Sequence, residues 1–416
     1  MKVLDNIDKT VAAIIAAALE GVEVSWQDAL TLCQTNGPEL HAVVVAADEL
    51  RRRQVGDIVT YVVNRNVNFT NVCVKHCGFC AFSRTYRSEQ GYFLPREEIL
   101  RRIQEAADMG ATEVCMQAGL PPDMDGAFYI ELTAAVKKSF PAIHIHAFSP
   151  EEVLYGASQS GISIADYLSA LKDAGLGSLP GTSAEILDQE VRDLISPGRI
   201  TVRQWVDVIT AAHRLKIPTT STIMYGHLET PAHWVKHMNL LRDIQGETGG
   251  FTEFVPLSMV YQEAPMYHHR LAPDLRPGPS GNEVIKMHAV ARLMLGASIR
   301  NIQSSWVKEG PRLAQYLLSA GANDVGGTLM NESISTSAGA AYGQLIPPRE
   351  LRRLIRDAGR TPAQRRTNYD LIRVYSTEAE EESDLDHVEN ADERFGSYSK
   401  LTHSSTFRFV DARRRL

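Results

Sequence analysis

The amino-acid sequence predicts an α/β protein whose centre is a (β/α)8 barrel, with a helical segment before the barrel and an extension after it. Eight short segments that are apolar, β-branched or bounded by turn residues alternate with longer segments of helical pattern. Strands separated by helices of this length favour βαβ units and a parallel sheet. A doubly wound open sheet is the main alternative, but no G-x-G-x-x-G motif follows the first predicted strand to support it.

The elements are predicted in a regular order along the chain. Residues 1–60 form a helical segment, in which Val11, Ile14 and Ile15 recur at helical spacing. The barrel occupies residues 61–345, and its strands are predicted at 67–73, 112–117, 143–148, 176–181, 219–226, 251–258, 299–306 and 323–327. Its helices are predicted at 95–109, 128–139, 184–195, 202–215, 231–244, 281–295 and 311–319. Residues 346–375 form a C-terminal helical segment.

The last part of the chain, residues 376–416, differs in composition from the rest. Nine acidic residues and no Lys or Arg lie between Ser376 and Glu393. Such a run predicts a solvated, mobile tail. The tail accounts for the net charge of −7, because acids and bases nearly balance elsewhere. A neutral body lacks the basic excess that selects a phosphate backbone, so the sequence predicts no nucleic-acid partner.

Composition and hydropathy are those of an ordinary globular protein. The 416 residues are 44% hydrophobic and 22% charged, which excludes a disordered, collagen-like or disulfide-scaffold protein. The sequence contains no apolar run of the roughly 18 residues that a membrane span needs. The apolar stretch 11–19 follows Asp5, Asp8 and Lys9 and lacks a small-residue cleavage site. We therefore predict an amphipathic helix in a cytoplasmic protein with no membrane partner.

Three clustered cysteines are the strongest chemical signal. Cys73, Cys77 and Cys80 form a C-x3-C-x2-C loop directly after the first predicted strand, whereas Cys33 and Cys115 stand alone. Three thiolates at this spacing can wrap around one iron–sulfur cubane, each holding one iron. The fourth iron then stays open to a substrate or cofactor, unlike the iron of electron-transfer ferredoxins with four cysteines.

A structural zinc site is the alternative for this loop. Such a site needs four closed ligands, and His76 is the nearest fourth candidate. His76 adjoins Cys77, however, and neighbouring residues rarely reach one metal together. Gly78 inside the loop suits a tight wrap around a metal group, so we favour the iron–sulfur cluster.

The loop and several segments around it resemble a known family. With the aromatic Phe79 before its last cysteine, the loop is similar to that of the radical S-adenosylmethionine superfamily. The stretches 68–73, 144–152 and 224–227 resemble a narrower set of tyrosine- or futalosine-handling barrels. Three further stretches, 254–258, 321–328 and 330–337, resemble the 5-amino-6-(D-ribitylamino)uracil–L-tyrosine 4-hydroxyphenyl transferases. This family is the second subunit of the synthase that makes the deazaflavin of coenzyme F420. The similarity spans roughly residues 50–375 and leaves the acidic tail outside it.

The resemblance implies a [4Fe-4S] cluster and S-adenosyl-L-methionine as cofactors. The open iron would chelate the amino and carboxylate groups of S-adenosylmethionine, and one electron would cleave it to a 5′-deoxyadenosyl radical and methionine. The radical would take hydrogen from the amine of L-tyrosine, and the Cα–Cβ bond would break. The 4-hydroxybenzyl radical would then add to 5-amino-6-(D-ribitylamino)uracil. The implied partners are a reducing electron donor and FO synthase subunit 1, which closes the ring.

The resemblance also implies contacts to the cofactor from two strand ends. Gln117 to Gly119 stand where such barrels hold the methionine amino group through backbone carbonyls, although this sequence lacks the usual Gly-Gly pair. Glu185 and Arg192 correspond to positions that contact the ribose or amine and the carboxylate, for which the fork of an arginine is suited. The candidate cofactor-binding residues are thus Phe79, Gln117, Gly119, Glu185 and Arg192.

Polar and aromatic side chains at other predicted strand ends are candidates for substrate binding or proton transfer. Active groups of a (β/α)8 barrel lie at the carboxyl ends of its strands. His227 is the preferred proton carrier, Trp306 is placed to stack on a substrate ring, and Glu332 to hold ribityl hydroxyls. A packing role is the alternative for a single strand histidine or aromatic residue. The candidate catalytic residues are His146, Tyr225, His227, Glu229, Trp306, Asn323 and Glu332.

Other functions stay open at this stage. A menaquinone-pathway cyclase or aminofutalosine synthase uses the same scaffold, and the stretch 330–337 argues against it. An iron–sulfur protein without catalysis is the alternative from another class. Cleavage of S-adenosylmethionine and the identity of the product separate these possibilities.

Overall fold

The computed structural model of the chain describes residues 6–122, 124–376 and 382–410. Three helices come first: α1 (Lys9–Leu19), α2 (Trp26–Cys33) and α3 (Gly37–Val55). Helix α1 begins at Asp8, whose carboxylate accepts hydrogen bonds from the backbone amides of Thr10 and Val11. Its buried residues repeat at helical spacing, as an amphipathic helix requires. Among the described residues, we find no helix with the length and apolar character of a bilayer span.

The body of the protein alternates strands with helices. The strands are β1 (Ile58–Val62), β2 (Asn64–Val67), β3 (Glu113–Met116), β4 (His144–Ala147), β5 (Thr219–Tyr225), β6 (Phe251–Ser258), β7 (Asp324–Gly327), β8 (Thr361–Arg365) and β9 (Leu371–Val374). The helices from α4 to α10 are Arg96–Asp108, Phe128–Ser139, Pro150–Ser160, Ile164–Asp173, Gln189–Ile195, Val202–Arg214 and Pro231–Thr248. Those from α11 to α17 are Pro265–His268, Gly281–Leu295, Trp306–Leu317, Ile334–Ser337, Pro348–Asp357, Ala391–Phe395 and Tyr398–His403. This order confirms the predicted α/β class.

Hydrogen bonding joins the strands into three sheets, ordered β7-β1-β8-β9, β2-β3-β4 and β5-β6. Every paired strand runs parallel to its neighbour except β9, which is antiparallel to β8. Between the sheets lie single parallel bridges, which pair His146 with Ser178 and Phe254 with Ile302. The fourth and seventh predicted strands are represented by such bridges rather than by ladders. Because these strands are parallel, their carboxyl ends lie on one side of the protein.

The first strand lies earlier than predicted. Residues 58–67 form β1 and β2, whereas the predicted strand at 67–73 is a loop that leads into the cysteines. Polar residues made this strand hard to recognise in the sequence, and in the structure they bond to side chains of other elements. Asn64 donates to the Glu113 carboxylate at 2.9 Å, and Arg65 forms an ion pair with Glu105 at 2.8 Å.

The C-terminal part contains strands as well as helices, and residues 377–381 and 411–416 of the predicted tail lie outside the described residues. Within residues 346–375 only α15 is helical, and β8 and β9 follow it. The tail was expected to be solvated and mobile. Its described part instead contains a 3-10 turn (Asp384–His387), α16 and α17, and it buries Leu385, Phe395 and Leu401 against the body. These few apolar residues attach the segment to the body by burying apolar surface, which its acidic composition does not reveal.

Candidate active site

The loop with the three cysteines follows β2 and is tied to three other segments by its backbone. The amide of Val74 donates to the carbonyl of Leu120 at 2.8 Å, and that of Gly78 to Ile195 at 2.8 Å. The carbonyl of Gly78 accepts from the amide of Met266 at 2.6 Å. The loop is therefore held at a defined place on the carboxyl side of the strands.

Two glycines allow the close approaches on which this placement depends. A Cβ at Gly78 would lie 2.9 Å from the Cβ of Met266, and one at Gly119 would lie 2.2 Å from the carbonyl oxygen of Val72. Side chains at these positions would push the loop away from its supports. Gly119 thus acts by letting the turn after β3 pack directly against the backbone next to Cys73.

The three thiols form a donor set that fits a cubane with one open iron. All three are free, and burial raises the pKa of Cys73 and raises that of Cys77 to about 12. No group of His, Cys, Asp or Glu within the described ranges is arranged around a single metal ion. A cubane does not need such an arrangement, because each thiolate binds a different iron.

One cavity lies between the cysteine loop and the strand ends. Its volume is about 210 Å³. Of the predicted cofactor-binding residues, the cavity brings together Phe79, Gln117, Gly119 and Glu185 beside the three cysteines. A further set of polar residues lines the same space: Ser149, Glu151, Glu152, Thr182, Ser183 and Arg199.

Arg199 is a site residue that sequence reasoning missed. Its guanidinium donates to Glu185 at 3.0 Å, to Glu151 at 3.2 Å and to the Ser183 hydroxyl at 2.6 Å. The guanidinium also lies 5.8 Å from the ring centroid of Phe79. Burial opposes its charge, but the carboxylates of Glu185 and Glu151 and the nearby Cys77 raise the pKa of Arg199 well above its usual value. The cation is therefore fixed next to the cysteines.

Arg192, the arginine that the sequence favoured, lies behind the cavity. Its side chain is buried and donates to the carbonyls of Ala184 at 2.5 Å and Ile200 at 2.6 Å. It also pairs with the far oxygen of Glu185 at 3.2 Å. The structure therefore places Arg192 outside the residues that line the cavity, where it braces the segment that carries Glu185.

We expect Arg192→Met to act on stability and not on cofactor affinity. The substitution leaves the carbonyls of Ala184 and Ile200 without their buried donor and leaves Glu185 with Arg199 as its one charged partner, so we expect a cost of about 3 kcal/mol in the free energy of unfolding. Chemical denaturation and equilibrium binding of S-adenosylmethionine to the iron-loaded protein would separate the two effects. A tenfold loss of affinity without loss of stability would return Arg192 to the list of direct ligands.

The turns after β3 and β4 are joined by Glu152, a second residue that the candidate set omitted. Its carboxylate accepts from the Ala118 amide at 3.0 Å and from the amide and hydroxyl of Ser149 at 2.8 and 2.6 Å. Burial raises its pKa to about 7. Gln117 is held by Thr182, whose hydroxyl donates to its side-chain carbonyl at 3.0 Å. These bonds fix the part of the cavity wall that the turns after β3 and β4 form.

The predicted histidines are buried and have partners of their own. Nδ1 of His146 lies 2.7 Å from the Ser178 hydroxyl, and burial lowers the pKa of His146 to about 4. Nε2 of His227 lies 3.1 Å from the Met224 carbonyl, whereas its buried Nδ1 lies 3.2 Å from the Glu229 carboxylate without forming a hydrogen bond, and burial lowers the pKa of His227. The Glu229 carboxylate also accepts from the backbone amides of Gly226 and His227. None of these three predicted residues is among those that line the 210 Å³ cavity.

Three further candidates are engaged in the core or in a helix start. Trp306 is buried and donates through its indole nitrogen to the Gly327 carbonyl at 2.9 Å. Asn323 accepts from Arg292 at 2.7 Å. Glu332 accepts from the first amides of α14, including that of Ser335 at 3.0 Å. The structure thus gives each of them a partner within the protein.

A second cavity lies at the end of β6, with a volume of about 270 Å³. Lys308 and Glu309 line it, close to Ser258 at the end of β6. Both belong to the first turn of α13, which breaks at Gly310, where φ is +78°. A Cβ at Gly310 would lie 2.7 Å from the ring of Tyr342. Lys308 and Glu309 thus lie in a short turn of helix that is separated by this kink from the rest of α13, and both line the cavity.

Glu309 stands out because its carboxyl is incompletely paired. Its Oε1 is buried and has no hydrogen-bond partner among the described residues, and the residue is 8% exposed. Burial raises the pKa of Glu309 to about 7 and lowers that of Lys308. Tyr225, a predicted site residue, lies beside this group and shares a hydrogen bond of 3.3 Å with Ser258. The sequence singled out the strand end but not this carboxyl.

Most of the chain matches known protein families and individual relatives. The profile of the radical SAM superfamily covers residues 67–241, and that of the CofH/MqnC C-terminal region covers residues 248–378. A 5-amino-6-(D-ribitylamino)uracil–L-tyrosine 4-hydroxyphenyl transferase of Methanothermobacter thermautotrophicus is 48% identical over 364 residues, which are 88% of this chain and 98% of that protein. The corresponding transferase of Methanopyrus kandleri is 51% identical, over 80% of this chain and 90% of that protein.

Other relatives are much longer than this chain or similar in fold alone. FO synthase of Mycobacterium leprae is 47% identical over 88% of this chain, which spans only 42% of that synthase. Among solved structures, methylornithine synthase (PylB) aligns with a TM-score of 0.66 at 19% identity, over 84% of this chain and 97% of PylB. HydG from Carboxydothermus hydrogenoformans aligns with a TM-score of 0.66 at 16% identity, over 88% of this chain and 83% of HydG. Their likeness concerns the fold alone, whereas the match to the radical SAM superfamily comes from residues 67–241.

Proposed function

This chain belongs to the family of 5-amino-6-(D-ribitylamino)uracil–L-tyrosine 4-hydroxyphenyl transferases, and from that premise we propose that it transfers the 4-hydroxybenzyl group of L-tyrosine to 5-amino-6-(D-ribitylamino)uracil. One observation carries the proposal. The three-cysteine loop borders a cavity of about 210 Å³ that is also lined by Gln117, Glu185 and Arg199. This arrangement offers soft ligands for a cluster and, next to them, groups for a zwitterionic cofactor.

The proposed scaffold is a closed (β/α)8 barrel. The single parallel bridges link β4 to β5 through residues 178–179, and β6 to β7 through residues 302–303. With β1 and β2 taken as one bent strand, these bridges support a ring of eight strands. The helices before β1 form the proposed N-terminal segment, and β8 with β9 covers the end of the ring away from the cysteines, where β8 pairs with the start of β1.

The cofactors are a [4Fe-4S] cluster and S-adenosyl-L-methionine, as in the radical SAM superfamily. When bound, they supply the 5′-deoxyadenosyl radical that starts the reaction. Cys73, Cys77 and Cys80 would hold the cluster. Arg199 is suited to the carboxylate of S-adenosylmethionine and Glu185 to its amine or ribose, because each carries the opposite charge or a matching acceptor.

We place the amino-acid part of L-tyrosine at Lys308 and Glu309. Lys308 and Glu309 both line the second cavity, where burial lowers the pKa of Lys308 and the charge of Glu309 opposes that change. A cation and a carboxyl side by side match the carboxylate and the ammonium of an amino acid. Glu309 would take one proton from the tyrosine ammonium, so that the neutral amine is present when its hydrogen is abstracted.

This role predicts a pH dependence. The carboxylate form of Glu309 is the base, and its pKa is raised to about 7 by burial, so the fraction of active enzyme grows as the pH rises through about 7. We expect Glu309→Gln to lower tyrosine-dependent formation of 5′-deoxyadenosine about a hundredfold and to abolish this acidic limb. Initial rates measured between about pH 6 and pH 8.5 test both effects.

The control for this variant is Glu97→Gln, which changes an exposed carboxyl in α4. It should leave both the rate and the pH profile unchanged. If Glu309→Gln kept a normal rate with the same acidic limb, Glu309 would not be the base. If it retained cluster absorption and affinity for S-adenosylmethionine, the loss would be assigned to tyrosine handling.

The reaction requires a reducing electron donor, and a separate enzyme of the FO synthase subunit 1 type is the proposed partner that closes the ring. The chain spans less than half of the FO synthases that it matches, so the rest of those proteins is the natural place for the partner activity. A cytoplasmic location stays a prediction of the sequence.

The proposed function is tested with anaerobically reconstituted protein, reductant and S-adenosylmethionine. Omitting L-tyrosine or the pyrimidine in turn should abolish the hydroxybenzyl–pyrimidine adduct in the mass spectrum. The open-chain futalosine-derived substrate of a menaquinone-pathway cyclase is the matched comparison. Turnover of that substrate without an adduct from the pyrimidine would assign the enzyme to the menaquinone pathway instead.

A further inference from the structure

The C-terminal strap, defined here as residues 390–410, lies against the base of the cysteine loop. Family profiles end at residue 378, so the strap is outside the region that they match. Within it, α16 buries Phe395 and α17 buries Leu401. The Cζ of Arg65 at the end of the barrel lies 5.2 Å from the ring centroid of Phe395. The strap is therefore docked on the body and not merely close to it.

Tyr398 connects the strap with both ends of the ligand loop. Its hydroxyl donates to the carbonyl of Phe82 at 2.7 Å and accepts from the side-chain amide of Asn71 at 3.3 Å. Asn71 comes two residues before Cys73, and Phe82 comes two residues after Cys80. One hydroxyl thus joins the segment that enters the loop to the segment that leaves it.

The ring of Tyr398 adds packing at the same place. It lies 5.1 Å from the ring of Phe82 and 5.7 Å from the guanidinium of Arg84. The backbone of Arg84 in turn closes the base of the loop, because its amide donates to the Asn71 carbonyl at 2.7 Å and its carbonyl accepts from the Cys73 amide at 2.9 Å. Tyr398 therefore covers the backbone bonds that define the distance between the outer cysteines.

The end of the strap makes a second attachment. The amide of Phe93 donates to the carbonyl of Phe407 at 2.8 Å, and the amide of Phe409 donates to the carbonyl of Gly91 at 2.8 Å. Residues 91–94 are in turn bonded to the approach of the cysteine loop, where the Leu94 amide donates to the Phe69 carbonyl at 2.7 Å. The strap thus pairs antiparallel with residues 91–93, which in turn pair antiparallel with the segment leading into the cysteine loop.

We propose that the C-terminal strap holds the cysteine loop in its cluster-binding conformation, with Tyr398 as the positioning residue, and so slows loss of the cluster. A loop whose ends are fixed has less conformational freedom to lose when its three thiolates bind one group. The same fixation keeps the outer cysteines together after one bond to iron breaks. This inference rests on the assignment of the cluster to the loop, which belongs to the proposed function.

The test is the rate at which an iron chelator bleaches the reconstituted protein under anaerobic conditions. Tyr398→Phe removes the hydroxyl but keeps the ring, and we expect release about fivefold faster. Tyr398→Ala removes both and should release iron about fiftyfold faster. Lys400→Ala is the matched control, because the Lys400 ammonium contacts Asp392 inside the strap, and its release rate should be that of the wild type.

The outcomes separate the strap from its alternatives. Equal release rates in the wild type, Tyr398→Phe and Tyr398→Ala, with all three folded, would overturn the proposal. If Tyr398→Ala unfolded at a lower temperature, Tyr398→Phe would decide, since a purely structural ring would leave the phenylalanine variant at the wild-type rate. A wild-type protein that took up no iron at all would refute the cluster assignment rather than the strap.

Discussion

Replacing any one of Cys73, Cys77 and Cys80 by alanine is expected to abolish the formation of 5′-deoxyadenosine. Each thiolate would hold one iron of the cluster, and the loop provides no substitute ligand of the same softness. Loss of even an outer partner of a metal site costs about 10- to 100-fold in affinity or activity, so loss of a ligand should exceed this. Anaerobic assays for 5′-deoxyadenosine, with iron content measured in parallel, provide the readout.

Cys33→Ala is the control for these variants. Cys33 is buried in α2, where burial raises the pKa of its thiol to about 12. The variant should bind the same amount of iron as the wild type and cleave S-adenosylmethionine at the same rate. Undiminished 5′-deoxyadenosine from all three loop variants would contradict the cluster assignment.

Arg199→Met is expected to weaken binding of S-adenosylmethionine about a hundredfold while leaving iron content unchanged. The substitution removes the cation that faces the cavity and leaves Glu185 and Glu151 with one partner fewer. Truncating one member of a buried charged pair at a binding site costs about 2–5 kcal/mol. Equilibrium binding to the reconstituted protein measures the affinity directly.

The matched control is Arg203→Met, which changes an exposed arginine at the start of α9. It should bind S-adenosylmethionine with wild-type affinity. Wild-type affinity in Arg199→Met as well would refute a cofactor role for Arg199 and would leave it as a brace between Glu151 and Glu185. Together with Arg192→Met, these variants distinguish the arginine that lines the cavity from the one behind it.

The cysteine loop could be predicted because its residues are close in the sequence. Site residues that depend on contacts between distant segments could not be predicted. Three thiols within eight residues can be recognised in the sequence alone. Arg199 follows α8 in a turn without a periodic pattern, and its contact with Glu151 joins segments that are 48 positions apart. Arg192 lies in a recognisable helix, and its position in the sequence does not reveal that it points away from the cavity.

Two elements were predicted wrongly because the burial of single side chains could not be read from the sequence. The β-branched run at 67–73 suggested a strand, but the true strand includes Asn64 and Arg65, whose polarity is compensated by Glu113 and Glu105 from other elements. The tail was predicted to be solvated because of its acidic run, although a few apolar side chains such as Phe395 pack against the body. A prediction based on composition averages over such residues, whereas packing depends on each of them.

The most direct test of the proposed reaction follows the carbon atoms of L-tyrosine. The reconstituted enzyme would be supplied with reductant, S-adenosylmethionine, 5-amino-6-(D-ribitylamino)uracil and tyrosine labelled with ¹³C in the ring and at Cβ. We predict a pyrimidine adduct that contains every labelled carbon, together with 5′-deoxyadenosine and unlabelled glyoxylate. Formation of 5′-deoxyadenosine without label in the pyrimidine would contradict the transferase reaction, even if the cluster were intact.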